Sequence, residues 1–338
     1  MMRKWIEAMR LRTLPVSVAG VIAGTACAVH GGTFRAVPAL LCLFFAVLAQ
    51  VASNFGNEYY DFKNGVDRKG REGFRRGVTE GEIAPEAMKR ATYLTLLLAV
   101  LVGCAMFLYG PWWLLLVGIV IMLFALAYST GPYPLSHHGL GDLAVILFFG
   151  VVPVTLTCYL QEGAWSLLRL SLPTSAAIGL LAANVLVVNN YRDMEDDRAV
   201  AKRTTVVLFG RNVMGWYYLL AGVAGMVLML PVWRSLSPWA LTVPVLYLAL
   251  HFPTWRSFRQ ARGAALNPLL GRTAINLLLF SLSLLAAVCL SSCSLQHRSL
   301  HFPVLHTEGE AVALPSAPGE EAEVELLAGA QHDVHGEV

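Results

Sequence analysis

The stretch NNYRDMEDDRAVAKRT, Asn189 to Thr204, ends the apolar run Leu172 to Val188 with a sudden cluster of carboxylates, amides and bases. If that run is a helix, Asn189, Asp193 and Asp197 stand at i, i+4 and i+8 and stack along one face. Stacked carboxylates repel one another unless a cation lies between them, and a hard divalent ion such as Mg²⁺ meets that need. A second cluster of similar design lies upstream in NEYYDFKNGVD, where Asn57 and Asp61 repeat the i, i+4 spacing and Asp67 follows. It too closes an apolar run, Val37 to Gly56. Two acidic clusters at the ends of two apolar helices, each trailed by Lys and Arg, describe a site for a magnesium-bound polyanion at a membrane surface.

The rest of the chain supports the membrane. Of 338 residues, 56% are hydrophobic and only 14% are charged, against about 25% charged in soluble domains. Spans of suitable length are expected near 13–30, 37–56, 92–110, 111–130, 141–160, 171–190, 213–233, 238–254 and 273–292. The fold class is therefore an all-α polytopic membrane protein of about nine transmembrane helices. Lys and Arg gather between Asn57 and Arg90, after the sixth span and before the ninth, while the alternate connections carry almost none. By the positive-inside rule the N-terminus and the carboxylate-rich loops are cytoplasmic. The basic start, Arg3 to Arg12, leads into Pro15 and a multispanning pattern, so an uncleaved first helix is expected rather than a removed signal. All six cysteines fall in or beside apolar runs without metal spacing, and they read as small buried hydrophobes. Residues 1–295 form the transmembrane domain. Residues 296–338, rich in Glu and punctuated by Gly, Pro and Ala, are expected to be a disordered tail, and its scattered histidines read as solvated.

Ionisable groups close to a membrane interior are costly and by default functional. The plainer alternative is that both clusters sit in water beyond the helix ends and anchor loops. Against that, both combine an amide, spaced carboxylates and bases. Lys63, Arg68, Arg71, Arg192 and Lys202 suggest phosphate oxygens beside the metal, Arg by paired hydrogen bonds and Lys as a point charge. No GxxxxGK[ST] or GxGxxG loop is present, so neither a nucleotide nor a nucleic acid is indicated. A diphosphate with a lipid tail among the helices fits better. Such a site can ionise an allylic diphosphate, with metal ions stabilising the leaving group. Tyr59, Tyr60, Tyr128, Tyr133 and Tyr191 lie at cytoplasmic span ends, where an aromatic face can shelter a carbocation.

These residues resemble the two aspartate-rich motifs of the UbiA-type intramembrane prenyltransferases, and within that family the menaquinone branch. The likeness runs from Arg10-Leu-Arg-Thr-Leu-Pro15 through the first motif, Tyr128 to Leu135, Gly139-Leu-Gly-Asp142, the second motif with Lys202-Arg-Thr204, Leu266 to Leu270, and Thr273-Ala274. The resemblance implies a UbiA-like bundle around a central cavity. It implies that Asn57, Asp61 and Asp67 hold one Mg²⁺ and Asp193 with Asp197 another, with Asn189 on the same face. Lys63, Arg68, Arg71, Arg76, Arg192, Lys202 and, as a further candidate, Arg12 would grip the diphosphate, and Tyr128 would face the cation. The implied reaction replaces the carboxyl of 1,4-dihydroxy-2-naphthoate with the prenyl group of a polyprenyl diphosphate, losing CO₂ and diphosphate and giving demethylmenaquinone. The implied setting is the lipid bilayer of a bacterial cytoplasmic (inner) membrane. The first motif departs from the family pattern in carrying Glu58 after Asn57, and so does the loop Gly73 to Gly81.

Two other readings stand beside this one. A family member with another acceptor, such as 4-hydroxybenzoate, shares every motif feature. A secondary transporter also buries carboxylates and repeats motifs, but its acids belong at the midplane, and none lies in the middle of a span here. Charge accounting predicts that Asp61→Asn or Asp193→Asn abolishes prenyl transfer in a membrane assay while leaving the protein inserted and folded. Full activity in either variant excludes the metal-site assignment.

Overall fold

The computed structural model describes residues 2–65, 67, 69, 74–128 and 133–300, with side chains omitted at 125, 126 and 293–300. Every regular element among them is helical. A short amphipathic helix α1 (Met2–Met9) precedes α2 (Leu14–His30), α3 (Ala36–Lys63), α4 (Pro85–Ala105) and α5 (Leu114–Ala127). Then come α6 (Gly141–Val145), a π turn (Ile146–Val151) and α7 (Val152–Glu162) as one continuous arm, and α8 (Leu168–Arg192). The short α9 (Met194–Ala199) leads to α10 (Thr205–Leu228), α11 (Leu230–Ser235), α12 (Thr242–Gln260) and α13 (Asn267–Leu300).

Each expected span has a helical counterpart, but two differ in character. Seven helical arms are long and apolar enough to cross a membrane. The fourth is short, its apolar stretch being only Leu114–Phe124. The eighth, α12, runs past its expected end to include Arg256 and Arg259. Apolar side chains such as Leu97 and Leu101 of α4 and Leu116 and Leu123 of α5 face outward, as a lipid solvent permits. Cys27, Cys42 and Cys158 are buried, whereas Cys104 and Cys289 are exposed, so the expectation of uniform cysteine burial fails for those two. The side chain of Cys293 lies outside the described residues, as does the expected tail beyond Leu300, while residues 296–300, where that tail is expected to begin, continue α13.

The most buried of the seven arms is α8. It touches α2, α7, the π turn and α10, and its sequence explains how. Ser171, Thr174, Ser175, Ala177, Gly179, Ala182 and Ala183 are small, so neighbouring backbones approach closely where hydrophobic burial cannot drive helix association. At the tightest crossing a Cβ on Gly150 would lie 2.4 Å from Gly179 Cα and 2.5 Å from the Ser175 carbonyl oxygen. Asn184 adds a polar tie, its amide donating to the Tyr218 carbonyl of α10 at 2.9 Å. Behind α8, the helices α10, α12 and α13 share one apolar core that includes Tyr218, Phe258 and Leu277.

Gly150→Ala forces the π turn off α8. It is expected to cost about 1–3 kcal/mol by overpacking and to lower the melting temperature in detergent, while Gly118→Ala, where nothing lies within 4 Å, leaves it unchanged.

Candidate active site

One cavity of about 420 Å³ opens between α2, α3, α4, α5, the α6–α7 arm and α8. Its polar end collects the ends of several helices. Asn57 and Asp61 come from α3, Tyr128 from just beyond α5, Asp142 from the first turn of α6, and Asn189 and Asp193 from the close of α8. Its other end is walled by apolar groups such as Phe107, Leu114, Phe148 and Leu160.

The first motif lies inside a helix rather than beyond one. Because α3 continues to Lys63, Asn57 and Asp61 share a helical face as the spacing predicts. Asp67 lies past the turn at Asn64-Gly65, and its N–H donates to the Asp61 carbonyl at 3.3 Å, which folds it back towards the motif. Glu58, the departure from the family pattern, is buried, and its Oε1 accepts the Val78 N–H at 3.0 Å. It therefore anchors the loop before α4 and does not line the cavity.

The second motif stacks by a different route. The helix breaks at Asp193 (φ −88°, ψ 7°), yet the Asp193 N–H still donates to Asn189 O at 3.1 Å and the Asp197 N–H to Asp193 O at 2.8 Å. The i, i+4 register thus crosses the joint between α8 and α9.

Bases meet these carboxylates one by one. The Arg192 guanidinium pairs with Asp193 through Nε (2.6 Å) and Nη2 (2.8 Å). It also donates to Asn189 Oδ1 and Asn267 Oδ1, both at 2.9 Å. Lys202 Nζ donates to Asp197 Oδ1 at 3.2 Å. Arg76 stands between Asp67 at 3.4 Å and Asp61 at 3.7 Å. Arg192, Lys202 and Arg76 line the cavity, whereas Asp67 and Asp197 are buried behind it. Lys63 lies exposed at the end of α3. Arg12 does not line the cavity; its guanidinium lies 3.2 Å from the centroid of Phe74. Arg68 and Arg71 lie outside the described residues.

Of the five tyrosines, Tyr128 lines the cavity. Burial, reinforced by Asp142, Asp61 and Asp197, pushes its phenol above the usual range, so it faces the site as a neutral ring. Tyr60 instead bonds Tyr93, Tyr133 stacks on His138, and Tyr191 packs on Phe258.

Several cavity residues escape a sequence reading. Arg10 lines it from a left-handed backbone conformation, φ 52°, one turn from the Arg12 that spacing makes equally eligible. Phe74, faced by Arg12 and by Arg192 at 5.0 Å, also lines it. No periodicity marks an aromatic in a loop.

The donor set suits Mg²⁺. Hard oxygens are supplied in pairs by Asn57 with Asp61 and by Asn189 with Asp193. Among the described residues no three His, Cys, Asp or Glu converge as a closed metal cage. Mg²⁺ is ordinarily held by one or two carboxylates and completes its shell with water and substrate phosphate.

A lipid-facing helical bundle with a polar-ended cavity that joins acids and bases to an apolar wall is built for an amphiphilic anion. Residues 17–280 match the UbiA prenyltransferase family, and the chain belongs to that family. It is 34% identical over 299 residues to the 1,4-dihydroxy-2-naphthoate octaprenyltransferase of Escherichia coli, covering 85% of this chain and 95% of that one. Among solved structures, a UbiA homologue from Aeropyrum pernix shares the fold with a TM-score of 0.65 at 14% identity, over 80% of this chain and 97% of that one. A UbiA homologue from Archaeoglobus fulgidus bound to GPP and Mg²⁺ does so with a TM-score of 0.57 at 16% identity, over 84% and 99%.

The buried Arg192–Asp193 pair revises the expectation drawn from charge accounting. With side chains 4% and 2% exposed, removing one partner strands the other, at about 3–5 kcal/mol. Asp193→Asn is therefore expected to lower the melting temperature in detergent as well as activity. Asp61→Asn, at the half-open Arg76 pair, is expected to lose activity with little thermal change.

Proposed function

We propose that this protein is a Mg²⁺-dependent prenyltransferase that moves the prenyl group of a polyprenyl diphosphate to 1,4-dihydroxy-2-naphthoate, releasing diphosphate and CO₂. The observation that carries the proposal is a cavity in which both acidic motifs and their bases meet one end of an apolar wall. The acceptor follows from the relatives at 34% identity, which carry that substrate in their name.

In this reading Asn57 and Asp61 serve one ion and Asn189 and Asp193 a second, and Asp67 and Asp197, set back from the cavity wall, complete the two sites as their bases turn away. When bound, the two ions neutralise the diphosphate and favour its departure. Arg76, Arg192 and Lys202 turn from their carboxylates to phosphate oxygens as those carboxylates take up metal, Arg through paired N–H bonds. The prenyl chain lies along the apolar wall, which excludes water from the developing cation. Tyr128 presents a neutral aromatic face to that cation. Lys63 and Arg12 stand outside the cavity wall, and together with the charge that Arg68 and Arg71 add to the same stretch of sequence they draw the anionic head to the site. The ring carbon bearing the acceptor carboxyl attacks, and loss of CO₂ restores aromaticity and gives the reduced form of demethylmenaquinone. The N-terminus and the site loops face the cytoplasm of a bacterial inner membrane, by the Lys and Arg bias of the loops.

The proposal predicts a lipid-soluble product when membranes bearing the protein receive Mg²⁺, a polyprenyl diphosphate and radiolabelled 1,4-dihydroxy-2-naphthoate. EDTA is expected to abolish it. Product from 4-hydroxybenzoate alone overturns the acceptor, and product unaffected by EDTA overturns the metal requirement.

A further inference from the structure

Asp142 belongs to neither acidic motif, yet it lines the same cavity and is only 8% exposed. The motif carboxylates Asp61, Asp193 and Asp197 each face an Arg or Lys. Asp142 instead faces a hydroxyl: Thr205 Oγ1 donates to its Oδ2 at 2.6 Å. Its other oxygen, Oδ1, is buried and has no hydrogen-bond partner among the described residues. A buried carboxylate oxygen left unmatched costs about 1–3 kcal/mol or more, so a fold that keeps one in its cavity wall has a use for it. Asp142 and Tyr128 line the same cavity, and a Cβ on Gly141, the neighbour of Asp142, would lie 3.5 Å from the Tyr128 hydroxyl. The χ2 torsion of aspartate is broad, so a small turn brings Oδ1 to the cavity surface.

Resting on the prenyl-transfer reading, we propose that Asp142 is a catalytic residue that takes the proton of the acceptor hydroxyl next to the carboxyl-bearing ring carbon. That carbon bonds to the first carbon of the prenyl group as the bond to the diphosphate oxygen breaks and its electron pair leaves with diphosphate. The hydroxyl proton passes to Oδ1, and the oxygen becomes a ring carbonyl β to the carboxylate. CO₂ then departs, the pair from the broken C–C bond reforms the aromatic ring, and Asp142 returns the proton to the oxygen. No oxidant or reductant is consumed. Thr205 holds the second oxygen and so limits how far the first can turn.

Asp142→Asn tests this with little change of volume. It leaves an oxygen for Thr205 and replaces the proton acceptor with an N–H donor. In membranes carrying the full chain, the variant is expected to lose about 10²–10⁴-fold in kcat with 1,4-dihydroxy-2-naphthoate. KM for the polyprenyl diphosphate and the Mg²⁺ concentration for half-maximal rate are expected to stay at wild-type values. With 4-hydroxy-2-naphthoate, which lacks the hydroxyl in question, wild type and Asp142→Asn are expected to be equally slow. Thr205→Val, which removes the bond but keeps the carboxylate, is expected to lose less than tenfold. Wild-type rate in Asp142→Asn overturns the proposal. So does a raised Mg²⁺ requirement, which makes Asp142 a metal ligand. Equal losses in Thr205→Val and Asp142→Asn with lowered melting temperatures make its role structural and also overturn it. Absence of product from the wild-type protein overturns the prenyl-transfer reading itself and the inference with it.

Discussion

Everything at the polar end of this protein depends on pairing carboxylates with bases where water is scarce. An ionised carboxylate moved without a partner into a low-dielectric setting loses several kcal/mol of hydration. Here Asp193 is clasped by Arg192, Asp197 by Lys202, and Asp61 with Asp67 by Arg76. Those pairs let α3 carry Asp61 inside its helical limits and let Asp193 close α8 directly. They also keep the cavity mouth near electrical balance before any ligand arrives. A metal-bound diphosphate brings one cation set and one anion set together, so each can replace a protein partner without stranding the other. This matched exchange differs from a bare cation site, in which the acids would simply lose their bases. It also differs from a transporter site, because the charges lie at one end of the cavity and not along a path through it.

The same logic explains which parts of the site were legible in the sequence. Spacing placed Asn57 with Asp61 and Asn189 with Asp193 and Asp197 on common faces, and backbone hydrogen bonds preserve both registers. The legible part was local. It rested on the helix repeat, which holds even across the break at Asp193. What spacing could not supply was the partner from elsewhere in the chain. Asn267, which steadies Arg192, is distant in sequence and close only because α13 begins beside the end of α8. Arg10 and Arg12 carry the same charge within one turn. A left-handed residue at Arg10 sends its side chain into the cavity, while Arg12 goes to Phe74. Glu58 departs from the family pattern, and its neighbours in the folded chain make it an anchor for Val78.

The fold was legible to a similar depth. Apolar length alone placed the helical arms among the described residues, since lipid demands long runs of apolar residues wherever a helix crosses. It did not reveal that they differ in office. α8 is an inner wall, recognisable afterwards by its small residues, and α12 packs behind it with arginines at its end. The π turn at Ile146–Val151 left no mark in hydropathy either. One extra residue per turn is a geometric change that leaves composition untouched, yet it carries Phe148 and Phe149 to the cavity wall.

The size of the cavity separates recognition of the head from recognition of the tail. About 420 Å³ is the scale of a pocket for one compact ligand. It suits a diphosphate, an aromatic ring and the isoprene units nearest the bond being broken, but not a long polyprenyl chain in full. The remainder must leave the protein interior, and the surroundings allow it to do so without penalty. α4 and α5 present Leu97, Leu101, Leu116 and Leu123 outward, so a chain passing between helices moves from one apolar medium to another. Its transfer free energy is then nearly flat with length, because lipid tails are as apolar as the leucines they touch. Selectivity concentrates where the energy is not flat, at the charged head and the acceptor ring. In the proposed reading the residues that enforce it are the bases paired to the two motifs and the polar wall of Tyr128, Asp142 and Thr205.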